Sequence, residues 1–235
     1  MNSTTNSKVS VIIPAYNGQR HIENAMQSIL SQTRVPDEII VIDDGSTDNT
    51  AEIVLRFGPR IKYVYKPNGG VASARNEGIR IAEGQYLAFL DQDDWWPNDM
   101  LALTLAKFEE NKGLEVVMGL SQIEFEEGAL PNRFGVDKSQ LTAAHLLVGS
   151  AVFSRSSFDR LGLFNENLPA ANDVDWFNRA REAKLPTVVL PSITLYHRRH
   201  ADNASNDTKW LRSEMMKAMK LSLDRRRNNS SETHD

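Results

Sequence analysis

Short runs rich in β-branched residues alternate with segments of helical apolar spacing through the first half of the chain, and that alternation most narrows the folds open to it. Val9 to Ile13 reads as a strand buried on both faces, stopped by Pro14. Ile22, Met26, Ile29 and Leu30 follow at helical spacing. A second strand, Glu38 to Ile42, ends in Asp43-Asp44-Gly45-Ser46, with Ser46 or Asp48 placed to cap a helix carrying Ile53 and Val54. Ile61 to Tyr65 is the third strand, and Asn68-Gly69-Gly70 turns into a helix through Ala72, Ala74, Ile79 and Ala82. Tyr86 to Leu90 is the fourth, followed by Asp91-Gln92-Asp93-Asp94 and a helix from about Asn98 to Glu110. Strands separated by helices pair in parallel, with crossovers covering both faces, so the expected class is α/β with a mostly parallel sheet.

The rhythm changes after Leu114. One or two strands are expected over Leu114 to Phe125, then a Gly/Pro/Asn-rich loop over 126–138 and a short strand over Val148 to Phe153. A helix over Asn172 to Lys184 is ended by Pro186, and a late strand over Val188 to Leu190 extends past Pro191 through Ile193 to Tyr196. A helix from Thr208 to about Arg226 precedes a polar tail. With 235 residues, 40% of them hydrophobic, the chain can bury one substantial core. The expected organisation is a single domain over 1–205, split into a regular half (8–112) and a more variable half (113–205), then a C-terminal helix (206–227) and a disordered tail (228–235).

Composition removes several classes. A net charge of −4 provides no positive field for nucleic acid, so none is expected as a partner. The absence of cysteine excludes disulfides and thiolate metal sites. The start MNSTTNSK lacks the apolar core of a signal peptide, and no apolar run approaches the roughly 20 residues of a membrane helix. A soluble, cytoplasmic protein is the expectation.

In a parallel sheet, ligands gather at the carboxyl ends of the strands. Those ends here carry Pro14, Ala15, Tyr16 and Asn17; Asp43 and Asp44; Asn68, Gly69 and Gly70; and Asp91, Gln92, Asp93 and Asp94. Clustered carboxylates repel unless something positive joins them, and a hard divalent cation takes carboxylate and phosphate oxygens together. A solvated turn explains the same cluster. Tyr16 suits stacking on a base or plain surface exposure; Asp44 suits a base N–H or an Asx turn. Arg75, in Asn68-Gly69-Gly70-Val71-Ala72-Ser73-Ala74-Arg75, suits a phosphate or a nucleobase. Neither GxGxxG nor the GK[ST] of a P-loop is present. Asp173 and Asp175 open a helix, either as dipole complements or with one as a general base. Tyr196-His197-Arg198-Arg199-His200 reads as part of a metal or diphosphate site, or as an exposed basic loop.

The segments VSVIIPAYNG (9–18), DEIIVIDDGSTDNT (37–50), NGGVASARNEGI (68–79), GQYLAFLDQDDWWPNDML (84–101), GSAVFSRSSFDRLGLFNENL (149–168) and NDVDWFNRARE (172–182) together resemble the inverting glycosyltransferases of family 2, with the GT-A fold. The resemblance spans the chain to about residue 205. It implies a Rossmann-like nucleotide-binding half followed by an acceptor-binding half. It also implies transfer of a hexose-type sugar from a UDP-sugar to an acceptor hydroxyl, assisted by Mn²⁺ or Mg²⁺. Position by position, Pro14, Ala15 and Tyr16 would line the base pocket, Asp44 would read the base edge, and Asn68 and Arg75 would lie near the nucleotide. Asp91, Gln92 and Asp93 match the DXD element, with Asp91 on the ribose side and Asp93 on the cation. Asp173 matches the presumed base, and His200 matches a histidine near the diphosphate.

Two departures stand out. Asn172 replaces the first acid of the family's Glu-Asp pair, leaving Asp175 as a substitute candidate, and His197 competes with His200. The acceptor expected is a glycan, a lipid-linked oligosaccharide or a peptide. A catalytically degenerate nucleotide-sugar binder and a metal-dependent nucleotidyltransferase are the rival readings. The C-terminal helix, with Trp210, Leu211, Met215, Met216, Met219 and Leu223, suits either a membrane's inner face or packing on the protein or a second subunit.

Overall fold

A computed structural model describes residues 8–126, 142–143, 146–203 and 206–231, and in it the expected alternation forms part of one eight-stranded sheet. β1 (Val9–Ala15), β2 (Glu38–Asp43), β3 (Ile61–Tyr65) and β4 (Tyr86–Phe89) pair in parallel in the order β3-β2-β1-β4. α1 (Ile22–Leu30), α2 (Thr50–Leu55) and α3 (Val71–Ile81) join them, and α4 (Met100–Glu110) follows β4. The second half adds β5 (Val116–Phe125), β6 (Thr142–Ala143), β7 (Ala151–Ser154) and β8 (Thr187–Arg199). β7 lies antiparallel between β4 and β5, and β6 is antiparallel to β5, whereas β8 runs parallel to β5. The remaining helices are α5 (Arg155–Leu161), α6 (Asn172–Glu182) and α7 (Thr208–Ser231).

The period of two along each strand sorts the side chains into two cores. Val9, Val11, Ile13, Val41, Ala88 and Leu90 face a layer holding α1, α2 and α4 through Ile22, Met26, Val54, Met100 and Phe108. Ile12, Ile40, Ile42, Leu87 and Phe89 face the other layer, where α3, α5 and α6 supply Ala74, Ile79, Phe158, Trp176 and Phe177. Because both faces are covered, the strands read as continuous apolar runs. The second core is aromatic: Phe153 meets Trp176 edge-on at 5.0 Å, and Phe89 meets Phe164 at 5.4 Å.

Three expectations change. Val148–Ser150 is a 3₁₀ turn, and the strand begins only at Ala151. α5 was not expected; Ser154 caps it by accepting from the Ser157 amide at 3.3 Å, and Gly162 ends it at φ 82°. α7 runs to Ser231, so residues 228–231 of the expected tail are helical; neither Gly nor Pro interrupts Arg225-Arg226-Arg227-Asn228-Asn229. The expected loop at 126–138 lies outside the described residues except for Glu126.

Candidate active site

The chain lays β2 and β3 on one side of β1 and returns on the other with β4, so strand order reverses between β1 and β4. Loops leaving neighbouring strands diverge at such a point and open a crevice. A cleft of about 1290 Å³ opens there, and Pro14, Ala15, Tyr16, Asp44, Asn68, Arg75, Asp91, Gln92, Asp93, Asp173 and His200 all line it. The sequence candidates therefore meet in one place.

At the β2 end, Asp43 forms the Asx turn, accepting from the Ser46 amide at 2.8 Å and from the Tyr63 hydroxyl at 2.6 Å. Asp44 is 3% exposed and accepts from the Gly69 amide at 2.9 Å, the Gly70 amide at 2.7 Å and the Lys66 ammonium. It fixes the β3–α3 loop against β2, and Gly70 is needed because that approach puts its φ at 87°. A carboxylate has about four lone-pair sites, so one remains for a ligand. Gln92 is similarly committed: its amide donates to the Tyr16 carbonyl and accepts from the Tyr16 amide, both at 2.9 Å. This clasp requires Gly18, where a Cβ would lie 2.1 Å from the Gln92 Oε1. It presents the Tyr16 ring, 49% exposed, at the cleft wall.

The acidic rim is completed from the far end of the chain. Trp95 and Tyr196 exchange backbone hydrogen bonds of 3.2 and 2.9 Å, their rings stack at 5.3 Å, and the Arg198 guanidinium lies 4.7 Å over Trp95. That clamp brings the end of β8 over the Asp91–Asp94 loop. Asp93 accepts from His200 Nε2 at 3.0 Å and from Asn203 at 3.2 Å. His197 Nδ1 instead sits 3.1 Å from both oxygens of Asp94, which also accepts from the Arg198 amide at 2.8 Å. The two histidines thus have different partners, His200 on Asp93 and His197 on Asp94. Burial pushes Asp94 up to about 6 against the pull of His197. For Asp93 burial is outweighed by the His200 hydrogen bond and the His197 charge, which hold it below the usual carboxylate range.

On the opposite wall, Asp173 and Asn172 stand in the first turn of α6. Arg75 is 4% exposed and reaches both Asp91 oxygens, at 2.6 and 2.9 Å, and the Asn172 Oδ1 at 2.9 Å. Its guanidinium ties α3, the acidic loop and α6 together. Asn172 is thus a neutral acceptor for Arg75. Asp173 is half-buried at the cleft, and burial pushes its carboxyl up, outweighing Arg75 and the Val174 amide that lower it. Asp175, the substitute candidate, is not at the cleft: it is 2% exposed and bound to Arg179 at 3.0 Å and Arg225 at 2.9 Å. Those contacts fasten α7 onto α6.

α7 packs Ala218 and Met215 on Leu168, Ala171 and Val174, and turns Trp210, Leu211, Met219 and Leu223 toward the cleft. Of the apolar residues named for this helix, Met215 packs on the protein, while Met216, Met219 and Leu223 stay exposed. No helix among the described residues is long and apolar enough to cross a membrane. Sequence reasoning had no signal for Lys66 or Asn203, whose roles appear only once distant loops are brought together.

The sequence profile described as glycosyl transferase family 2 matches residues 10–162. The chain belongs to that family. It is 34% identical over 212 residues to an uncharacterized glycosyltransferase of Rickettsia conorii, covering 84% of this chain and 35% of that protein. It is also 34% identical over 181 residues to the chondroitin synthase of Pasteurella multocida, covering 74% of this chain and 19% of the synthase. The chain thus spans about a third or less of these relatives' length. Among solved structures, S. aureus TarS in complex with UDP-GlcNAc superposes with a TM-score of 0.68 at 25% identity, covering 85% of this chain and 61% of that one. The mannosyltransferase PcManGT of Pyrobaculum calidifontis, in complex with GDP-Man and Mn²⁺, gives 0.72 at 21% identity, covering 92% and 64%. The fold is GT-A, and the chain carries a glycosyl transferase family 2 domain.

Proposed function

We propose that this transferase moves a hexose-type sugar from a UDP-sugar to an acceptor hydroxyl by a single in-line displacement with inversion. The observation that carries the reading is that Asp93 with His200 and Asp173 face one cleft at the β1/β4 switch point. The base lies among Pro14, Ala15 and Tyr16, with the last lone pair of Asp44 open to a base N–H. The relatives support a nucleotide-sugar donor, since TarS is complexed with UDP-GlcNAc and PcManGT with GDP-Man.

The residues present fit a divalent ion. Asp93 Oδ2 and His200 Nε2 are 3.0 Å apart, the spacing of neighbouring ligands on a six-coordinate ion with bonds of about 2.1 Å. Mn²⁺ or Mg²⁺ held there would supply positive charge against the departing diphosphate. Asp173 takes the acceptor's proton as its oxygen attacks the anomeric carbon from the opposite face. Asn172 does not weaken this role, because its carbonyl is turned to Arg75. The apolar side chains of α7 form the acceptor wall, which suits a glycan on a lipid or another partly apolar carrier.

The test is a thermal-shift and calorimetric screen of nucleoside diphosphate sugars with and without Mn²⁺, followed by UDP release with candidate acceptors. UDP-sugars should bind only with the ion present, and Asp93→Ala should abolish that dependence. Binding elsewhere, or pyrophosphate as the product, would reject the reading.

A further inference from the structure

His21 is the buried histidine that the donor site leaves unexplained. It immediately precedes α1, is 8% exposed, and its Nε2 is buried without a hydrogen-bond partner. A buried imidazole nitrogen without a partner is costly, and an aliphatic residue would fill the place at lower cost. Its ring lies 4.7 Å from that of His200, and its Nδ1 lies 4.0 Å from the Glu126 Oε1. His21, Glu126 and His200 each offer one ligand atom, all within 4.8 Å of one another.

We propose that His21, Glu126 and His200 form a site for a first-row transition-metal ion, held by the protein without a nucleotide diphosphate. Two imidazoles and one carboxylate suit Zn²⁺ or Co²⁺ and disfavour Mg²⁺. Ligand atoms on a tetrahedral ion with bonds of about 2.1 Å lie roughly 3.4 Å apart, so the three groups must draw together. Glu126, whose side chain is 29% exposed just beyond β5 and lies 3.8 Å from the Arg20 guanidinium, is the ligand that would shift. His200 now accepts from the Asp202 amide at 3.2 Å through Nδ1 and faces Asp93 through Nε2 at 3.0 Å, so ligation through Nδ1 gives up only the longer of its two bonds. The donor reading needs an ion only when the diphosphate is present, whereas this site loads in the free chain. The two share His200, so an ion loaded here would occupy one of its ring nitrogens before any donor arrives.

The full chain, treated with chelator and then dialysed, is titrated with Zn²⁺ or Co²⁺ alone by calorimetry, with Mg²⁺ as the control. One ion per chain is expected, with visible Co²⁺ absorption and no Mg²⁺ heat. His21→Phe keeps a ring against His200 while removing a ligand, and Glu126→Gln removes the carboxylate from a partly exposed position. Each should weaken the ion at least about tenfold. Thermal melts establish that the variants are folded. Failure of the native chain to take up an ion overturns the proposal, as does uptake that neither variant alters. UDP binding with Mn²⁺ is measured in parallel: a chain that takes no ion alone but binds UDP with Mn²⁺ sinks this site and leaves the donor reading standing.

Discussion

Asp173 is pulled in two directions by its surroundings. The first turn of α6 favours its ionised form, yet burial dominates and raises its pKa above the ordinary 3.8. A general base works deprotonated, so activity should rise with pH through this raised pKa, placing the acid limb of kcat/KM above the usual carboxylate range. A pH–rate profile reads it, and a limb at or below about 4 would contradict it. Asp173→Asn should lower kcat by about 10²–10⁴ with donor affinity intact. Stability runs the opposite way. A carboxyl whose folded pKa is raised contributes stability that is fully present below its unfolded pKa and lost as pH rises through the folded one. At pH 7 the neutral amide should therefore melt no lower than the native chain, so the variant separates catalysis from folding. The family resemblance pointed to Asp93 and Asp173, and both line the cleft. It could not show that Asp44 is largely committed to Lys66, Gly69 and Gly70, or that Gln92 clasps Tyr16, because those bonds form between loops 22 to 76 positions apart.

Among the elements, strands and helices of the first half were legible because a two-sided sheet demands continuous apolar runs, and β1, β2 and β3 fall within a residue or two of where those runs predict. α5 was not, since Arg155-Ser156-Ser157-Phe158 carries its start in a serine cap and its apolar face in one phenylalanine. The end of β8 was legible as a strand but not in its destination, which depends on the Trp95–Tyr196 bridge. Trp95→Ala removes the stack and the Arg198 contact, so His200 should lose its fixed approach to Asp93. The expected result is several-fold weaker Mn²⁺-dependent UDP binding, with a stability loss of roughly 1–2 kcal/mol by denaturant titration. Unchanged metal dependence would show that the clamp does not position His200. The α6–α7 junction gives a second case. Asp175→Ala strips a buried acceptor from Arg179 and Arg225, which retain the Leu163 carbonyl and Glu182 respectively. The cost should be about 1–3 kcal/mol, with kcat far less affected than in Asp173→Asn; a loss of turnover as severe would restore Asp175 as the base.

Across the whole molecule, the donor side and the far wall of the cleft rest on different supports. Pro14 to Tyr16, Asp44 and Asp91 to Asp93 stand on the sheet and its two cores, which α7 does not enter. The wall formed by Trp210, Leu211, Met219 and Leu223 stands on α7, which is held by a small apolar cluster with Leu168 and Ala171 and by the Asp175–Arg225–Glu182 ion pairs. Ending the chain after Asp207 should therefore divide the two functions. The two main cores remain, while the loss of Met215 and Ala218 exposes Leu168, Ala171 and Val174, lowering the melting temperature without unfolding the domain. UDP with Mn²⁺ should bind the shortened chain within a few-fold of the full one, since the Asp93–His200 pair and the Tyr16 face keep their supports. Acceptor-dependent UDP release should fall far more steeply, because an acceptor would meet water where the apolar wall stood and lose its orientation toward Asp173. Calorimetry and a UDP-release assay on the same preparation read the two sides together. Equal losses in donor binding and transfer would mean that α7 supports the nucleotide as well, and that the acceptor wall lies elsewhere.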